Sequence, residues 1–228
     1  QGNEQPEAEA AKFINEQVKD VKDALQGARD IIAEWVSEHE QARNKIRQLF
    51  TEGAVLSSKV LSSKKDEEEA QKYRDYFEFS EPLDQSPSHR ILAIRRGEKE
   101  GYLVMDISID KQTAIEELER IFIKASNANS AEVKKAIEDS YDRLLKSSIE
   151  NEFRLLSKNK ADEEAIRVFT ENLRQLLLAS PLGSKRVLAI DPGYRTGCKV
   201  VCLDAQGNLL HNTTIYPHPP QSEVQKSI

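Results

Sequence analysis

The sequence predicts a mainly α-helical protein with a small β element, followed by a short β-β-β-α segment. Three observations support this class. Apolar residues recur three and four positions apart through most of residues 1–184. Within residues 88–109, the stretch after Gly101 alternates apolar and polar side chains like a strand. From residue 185 onward, short apolar runs are separated by turn residues. We therefore predict a helical region over 1–184 and the beginning of a second domain over 185–228.

The composition limits the class of protein. The 228 residues (25.8 kDa) are 38% hydrophobic and 32% charged, which suits a charge-rich helical protein with one or two domains. No apolar run approaches the length of a membrane span. Only two cysteines are present, which argues against a disulfide scaffold and favours a reducing, cytoplasmic compartment. The only methionine is Met105, so we interpret the chain as a piece of a longer protein.

The charge is distributed unevenly. The net charge is −6, with 28 bases against 36 acids in residues 1–184 and five bases against three acids in residues 185–228. An acidic helical region repels a polyanion, so a large nucleic-acid footprint is excluded there. Any contact with RNA or DNA should be local and near the C-terminal end.

Helix signals are clear at several points of the first region. Pro6 suits the first position of a helix, Asp20 suits the N-cap of a second helix, and Gly53 suits the end of a third helix. We expect the apolar stripes of all helices to form the core, including a stripe through Phe169 and Leu173, with Trp35 as a core anchor.

Other stretches are less regular. Residues 54–63 fit a strand or a loop, a helix from Asp66 should end at Pro82, and residues 80–88 suggest a connector. Residues 88–97 fit a strand or a short helix capped by Ser88 and ended by Gly97, and we favour the helix. Further along, Ser130 suggests a helix cap, and residues 159–162 suggest a break between the last two helices.

The most informative motif lies at residues 186–204. An apolar run, expected to be a buried strand, ends at Asp191 and leads into a turn that contains Gly193, Thr196 and Gly197. Cys198–Leu203 predicts a second strand and 209–216 a third, with a helix capped by Ser222 after them. Three strands and a helix, with an acid ending the first strand, open the RNase H-like fold, where several carboxylates hold two divalent cations. The same pattern fits an actin-like ATPase phosphate loop or a plain hairpin, and the pattern alone leaves all three open.

Two other groups of residues are candidate sites. Arg90, Arg95, Arg96 and Lys99, beside His89, form a basic cluster that fits either a nucleic-acid contact or a solvated face paired with nearby acids. His39, His211 and His218 show no metal-ligand spacing, so we predict no metal and no cofactor.

Four blocks of sequence resemble the bacterial Tex family of transcription accessory proteins. They are residues 28–34, residues 73–77 with 80–82, residues 87–101 and residues 189–199. The blocks occur in the family's order and span nearly the whole chain.

The resemblance implies a cytoplasmic bacterial protein with a helical N-terminal region, a YqgF-type RNase H-like domain, helix-hairpin-helix elements and an RNA-binding OB-fold. This chain would contain the latter half of the helical region and the truncated start of the YqgF-type domain. Asp191 would then be a remnant of the first RNase H-like acid, with no catalytic residue in this fragment. The alternative is a fragment of a metal-dependent nuclease or resolvase with Asp191 as its first metal ligand.

The expected partners follow from the same resemblance. We expect the full-length protein to bind RNA or DNA, and this fragment to bind it only weakly. The transcription machinery is a further expected partner, and we expect no contact with a membrane. The expected contacts are Arg195 and Lys199 near the turn and the basic cluster at residues 90–99. The open edge of the short sheet also offers a dimer contact.

Overall fold

A computed structural model describes residues 2, 4–193, 196–219 and 221–227 of the chain. These residues fall into two units, 1–170 and 171–228. The predicted boundary after residue 184 stays a prediction. About 60% of the residues are helical, which confirms the mainly α class. Within the described ranges, no helix combines the length and apolar character needed to cross a bilayer.

Seven helices are described from Pro6 to Leu177. They are α1 (Pro6–Ala10), α2 (Val21–Glu38), α3 (Glu40–Gly53), α4 (Ser88–Lys99), α5 (Lys111–Phe122), α6 (Ala128–Ser140) and α7 (Lys146–Leu177). A single π-helical turn, Tyr141–Leu145, joins α6 to α7. Short 3₁₀ segments lie at Ala11–Phe13, Ser62–Lys64, Glu68–Tyr76 and Leu83–Gln85.

Side-chain caps fix where several helices begin. The Asp20 carboxylate accepts from the Asp23 N–H at the start of α2, as predicted, and Asp110 accepts from Thr113 at the start of α5. Asn127, and not Ser130, caps α6, because its side chain accepts from the Ser130 N–H three residues on. Gly53 ends α3 as predicted.

A three-stranded antiparallel sheet lies inside the first unit. Its strands are β1 (Val55–Val60), β2 (Glu78–Pro82) and β3 (Leu103–Ser108), in the order β2-β1-β3. Alternate residues of β3 are buried (Leu103, Met105 and Ile107), so one face of the sheet lies against the helices. The core joins Met105 and Ile107 to Ile46 and Phe50 of α3, Ile91 and Ile94 of α4, Leu118 of α5, and Ile137, Tyr141, Leu145 and Ile149 along α6 and α7.

The structure decides between the alternatives for residues 88–97 and differs from the prediction in other stretches. Residues 88–97 are helical, as favoured, but α4 follows Pro87 without a side-chain cap and continues past Gly97 to Lys99. The expected helix from Asp66 to Pro82 is wrong, because a 3₁₀ segment comes first and β2 then pairs with β1. The connector predicted at 80–88 is shorter than expected, since only residues 83–87 link β2 to α4. The expected break at residues 159–162 is also wrong, since α7 runs through it.

The apolar stripes are not all core. Trp35 is 67% exposed and does not anchor the core, because α2 packs through Ala33 and Val36 on a neighbouring side. Ile166, Phe169, Leu173, Leu176 and Leu177 of α7 are likewise exposed. On both α2 and α7, part of the apolar surface is therefore not covered by other described residues.

The second unit contains an antiparallel sheet in the order β4-β5-β6. Its strands are β4 (Val187–Asp191), β5 (Cys198–Leu203) and β6 (Leu209–Ile215), close to the predicted positions. The prediction that β4 is buried is wrong, because Leu188 and Ile190 are exposed. The two cysteines are free thiols, with Cys198 buried and Cys202 half-buried. Ser222 precedes a short helix, α8 (Val224–Ser227), in a left-handed conformation with φ of 48°.

Candidate nucleic-acid interface

The basic cluster on α4 divides into residues with structural partners and residues without them. The Arg90 Nη1 donates to a Glu81 carboxylate oxygen at 2.6 Å, and the Ser86 hydroxyl donates to the other oxygen at 2.6 Å. The Arg90 guanidinium also lies 6.0 Å from the centre of the Phe79 ring. These contacts hold α4 beside β2. The charge of Arg90 is therefore balanced by Glu81, and the side chain contributes to packing.

Arg95 is occupied as well. Its Nη1 donates to the carbonyl of Arg154 on α7 at 3.1 Å, and the side chain is half-buried. Arg154 in turn donates to the Glu98 carboxylate at 2.5 Å and to the Met105 carbonyl at 2.8 Å. Arg95 therefore belongs to the contact between α4 and α7.

Arg96 and Lys99 differ from these two. Both are exposed, and neither forms a hydrogen bond or ion pair with any residue that the structure describes. They lie in the last turn of α4, where the helix dipole favours positive charge. Of the four predicted cations of the cluster, these two remain available to a ligand.

Two residues that the sequence did not single out complete this surface. Lys72 lies 5.0 Å from the ring centre of Tyr73 and 5.8 Å from that of the half-buried Tyr102. The Tyr102 N–H donates to the Gly97 carbonyl at 2.9 Å, which places the ring at the end of α4. We call Lys72, Arg96, Lys99 and Tyr102 the α4 basic surface. Lys72 was missed because it reaches α4 only through the fold.

The acid nearest to this surface is held in its charged form. The Lys72 ammonium lies 2.6 Å from a Glu100 carboxylate oxygen, and this hydrogen bond lowers the pKa of Glu100. Burial, followed by the neighbouring Glu100, raises the pKa of Tyr73. At neutral pH, Lys72, Arg96, Lys99 and Glu100 therefore carry a net charge of about +2.

The second predicted site is the turn between β4 and β5. Asp191 pairs in register with Lys199, and Lys199 pairs with Thr214 on β6. Directly opposed residues of antiparallel strands share a face, so the acid, the base and the hydroxyl form one row across the sheet. This row could contact a phosphate backbone through Lys199 and Thr214.

Tight glycine turns shape the same end of the sheet. A Cβ at Gly193 would lie 2.5 Å from the Thr196 hydroxyl oxygen and 2.6 Å from the Gly197 carbonyl oxygen. Gly197 has φ of +80°, and a Cβ there would lie 2.5 Å from the Tyr216 ring. Turn geometry thus accounts for both glycines. The predicted contact residue Arg195 lies outside the described residues.

Asp191 has no carboxylate partners for a metal in the described part of the chain. No group of three or more histidine, cysteine, aspartate or glutamate side chains could hold a metal ion among those residues. Asp204, the nearest acid along the chain, accepts from the Gln206 and Asn208 N–H groups in the next turn. Its hydrogen bonds to Asn208 lower its pKa, so its role there is structural.

Comparison with known proteins gives two family matches that cover most of the chain. A model described as the Tex central region matches residues 1–169, and one described as the YqgF-like domain of Tex proteins matches residues 185–228. Protein YdcI of Bacillus subtilis is 40% identical over 225 residues, which cover 96% of this chain and 31% of that protein.

Two further relatives have informative names. The transcriptional accessory protein Tex of Neisseria gonorrhoeae is 35% identical, over 94% of this chain and 29% of that protein. The human S1 RNA-binding domain-containing protein 1 is 30% identical, over 84% of this chain and 20% of that protein. The chain thus spans about 30% of the length of these bacterial relatives.

Proposed function

This chain belongs to the Tex family, and from that premise we propose that it is a non-catalytic scaffold part of an RNA-binding transcription accessory factor. The names of the relatives from Neisseria and human support the transcription and RNA-binding parts of this proposal. The observation that carries it for this chain is the α4 basic surface, where the exposed Arg96 and Lys99 form no hydrogen bond or ion pair with a described residue.

The chemistry of this surface suits a single-stranded RNA. Two unpaired cations can contact successive phosphates, and the half-buried Tyr102 offers part of an aromatic face for a base. In the second unit, Lys199 and Thr214 offer a further cation and hydroxyl from one row of the sheet. Arg195 is the third candidate there. We propose that these contacts position RNA, while the acidic remainder of the chain keeps binding weak.

Salt dependence tests the α4 basic surface. In the full-length protein, Arg96→Ala/Lys99→Ala should weaken binding of a labelled single-stranded RNA. It should also lower the slope of log affinity against log salt by about 1.4, since each phosphate contact contributes about 0.7. Fluorescence anisotropy at several salt concentrations measures this.

A matched control is Lys22→Ala, which removes an exposed lysine from acidic surroundings on α2. That variant should bind RNA like the wild type. An unchanged salt slope in the double variant would refute the role of Arg96 and Lys99. The 228-residue chain alone should bind weakly, and a sub-micromolar affinity at physiological salt would contradict the charge argument.

The alternative is a metal-dependent nuclease. Asp191 lies at the end of β4, as an RNase H-like acid would, but two-metal chemistry needs further carboxylates. They would have to come from parts of a longer protein. This alternative predicts Mn²⁺-dependent cleavage by the full-length protein that disappears in Asp191→Asn.

A further inference from the structure

An apolar groove of about 660 Å³ runs along α2, away from the α4 basic surface. Its floor is one side of α2, formed by Ala24, Gly27, Ala28 and Ile31. Phe13, after α1, lines one wall, and α6 forms the other. The groove lies within the first unit.

Apart from Ile31, the floor of the groove is built from small residues, which leave the helix backbone accessible. A Cβ at Gly27 would have nothing within 4 Å. Residues 24, 27, 28, 31 and 35 recur at helical spacing, so the surface continues to Trp35, about 17 Å along α2 at 1.5 Å per residue. The groove together with this continuation can therefore seat about three turns of a second helix.

Large apolar side chains border this floor and are exposed to solvent. Phe13 is 64% exposed, Ile31 52% and Trp35 67%. The side of α2 that carries Ala33 and Val36 already has its partner, since the Ser140 hydroxyl donates to the Ala33 carbonyl at 2.7 Å and Val36 is buried. An exposed apolar patch of this kind typically marks an interaction surface.

The rim of the groove is acidic. Its charged lining residues are Glu4, Glu9, Asp23 and Glu132, with no lysine or arginine among the described lining residues. Glu9 pairs with Lys12 and Glu132 with Arg29 and Lys135, whereas Glu4 has no ion pair within the described chain. Residues 4–38 carry nine acids against four bases. Such a rim repels RNA and anionic lipid and attracts basic side chains.

We propose that this groove binds an amphipathic helix of another protein, whose apolar stripe is flanked by lysines or arginines. Apolar side chains spaced three and four residues apart would lie over Ala24, Gly27 and Ala28 and between Phe13 and Ile31. The flanking bases would reach the acidic rim with their charged ends. The proposal is independent of RNA binding, because it uses a different surface.

A designed peptide tests the proposal. The probe is a labelled helix of about 18 residues with leucines at three- and four-residue spacing and lysines beside them. It should bind both the 228-residue chain and the full-length protein, and a matched peptide with glutamates in place of the lysines should bind at least about tenfold more weakly. Fluorescence anisotropy measures both.

Variants locate the binding to the groove. Ile31→Glu should weaken binding of the lysine peptide by at least about tenfold, whereas Val104→Glu, at a 50% exposed valine of β3 outside the groove, should not. Glu4→Lys/Glu9→Lys should reverse the preference between the two peptides. Circular dichroism confirms that each variant is folded.

Three outcomes would overturn the proposal. Equal binding of the two peptides would remove the role of the acidic rim. Full affinity in Ile31→Glu would place the binding elsewhere. Binding to the 228-residue chain without binding to the full-length protein would show that another part of the same polypeptide occupies the groove.

Discussion

Gly27 on α2 and Gly97 on α4 both lie inside helices, but their surroundings are opposite. Gly97 is buried, and a Cβ there would lie 2.6 Å from Leu103 Cδ1, 2.9 Å from Leu103 Cγ and 3.3 Å from Tyr73 Cδ1. At Gly27 a Cβ would enter open space. The close approach of α4 to β3 therefore requires glycine at 97, whereas the backbone of α2 does not require it at 27.

The same substitution should have opposite effects at these positions. Gly97→Ala should destabilise the protein by about 1–3 kcal/mol, because Leu103 is buried and has to shift. Gly27→Ala should stabilise it by about 0.5–1 kcal/mol through helix propensity. Urea unfolding of both variants measures the difference, and a neutral Gly97→Ala would contradict the described packing of α4 on β3.

Single residues also show which features of the structure could not be predicted from the sequence. Trp35 was expected in the core because it shares a helical stripe with Val36, yet only Val36 is buried. Periodicity defines an apolar stripe on a helix but not which part of it faces a partner. Arg90 and Arg96 look alike in the sequence, and the contacts of Arg90 with Glu81 and Phe79 on β2 distinguish them.

At the scale of elements, one arginine joins three of them. Arg154 of α7 donates to Glu98 of α4 at 2.5 and 2.6 Å and to the Met105 carbonyl of β3 at 2.8 Å. Its side chain is only 19% exposed. Glu98 lies near a further donor, the Met105 N–H at 3.4 Å. This network fixes the middle of α7 against the sheet and α4.

Removing this arginine should weaken the first unit. We expect Arg154→Ala to cost about 2–3 kcal/mol, because the half-buried Glu98 loses its charged partner. The matched control is Arg143→Ala, which breaks an exposed pair with Asp139 and should cost less than about 0.5 kcal/mol. Denaturant unfolding compares the two, and equal costs would show that the Arg154 network contributes little.

Element positions were predictable where local signals were strong. The Asp20 cap, the Gly53 stop and the strand Cys198–Leu203 are confirmed. β2 was missed because a short segment with two acids and Pro82 resembles a loop and becomes a strand only through pairing with β1. The expected break at 159–162 fails because the segment contains no glycine or proline, and the Lys158–Asp162 ion pair supports the helix.

At the scale of the whole molecule, the sequence predicted the family and the fold class more completely than the site. The Tex blocks and the β-β-β-α pattern were sufficient for both. The α4 basic surface depends on Lys72 and Tyr102 reaching α4 through tertiary packing, which no local pattern shows. The groove on α2 depends equally on α1 and α6 lying beside it.

The most direct measurement of the central claim is RNA cleavage by the full-length protein. Purified wild type and Asp191→Asn are incubated with labelled RNA and Mn²⁺, at protein concentrations where anisotropy shows that the RNA is bound. A non-catalytic scaffold predicts that both proteins bind the RNA equally and leave it intact. Cleavage by the wild type that is lost in Asp191→Asn, with RNA binding unchanged, would contradict the scaffold function and establish Asp191 as a metal ligand.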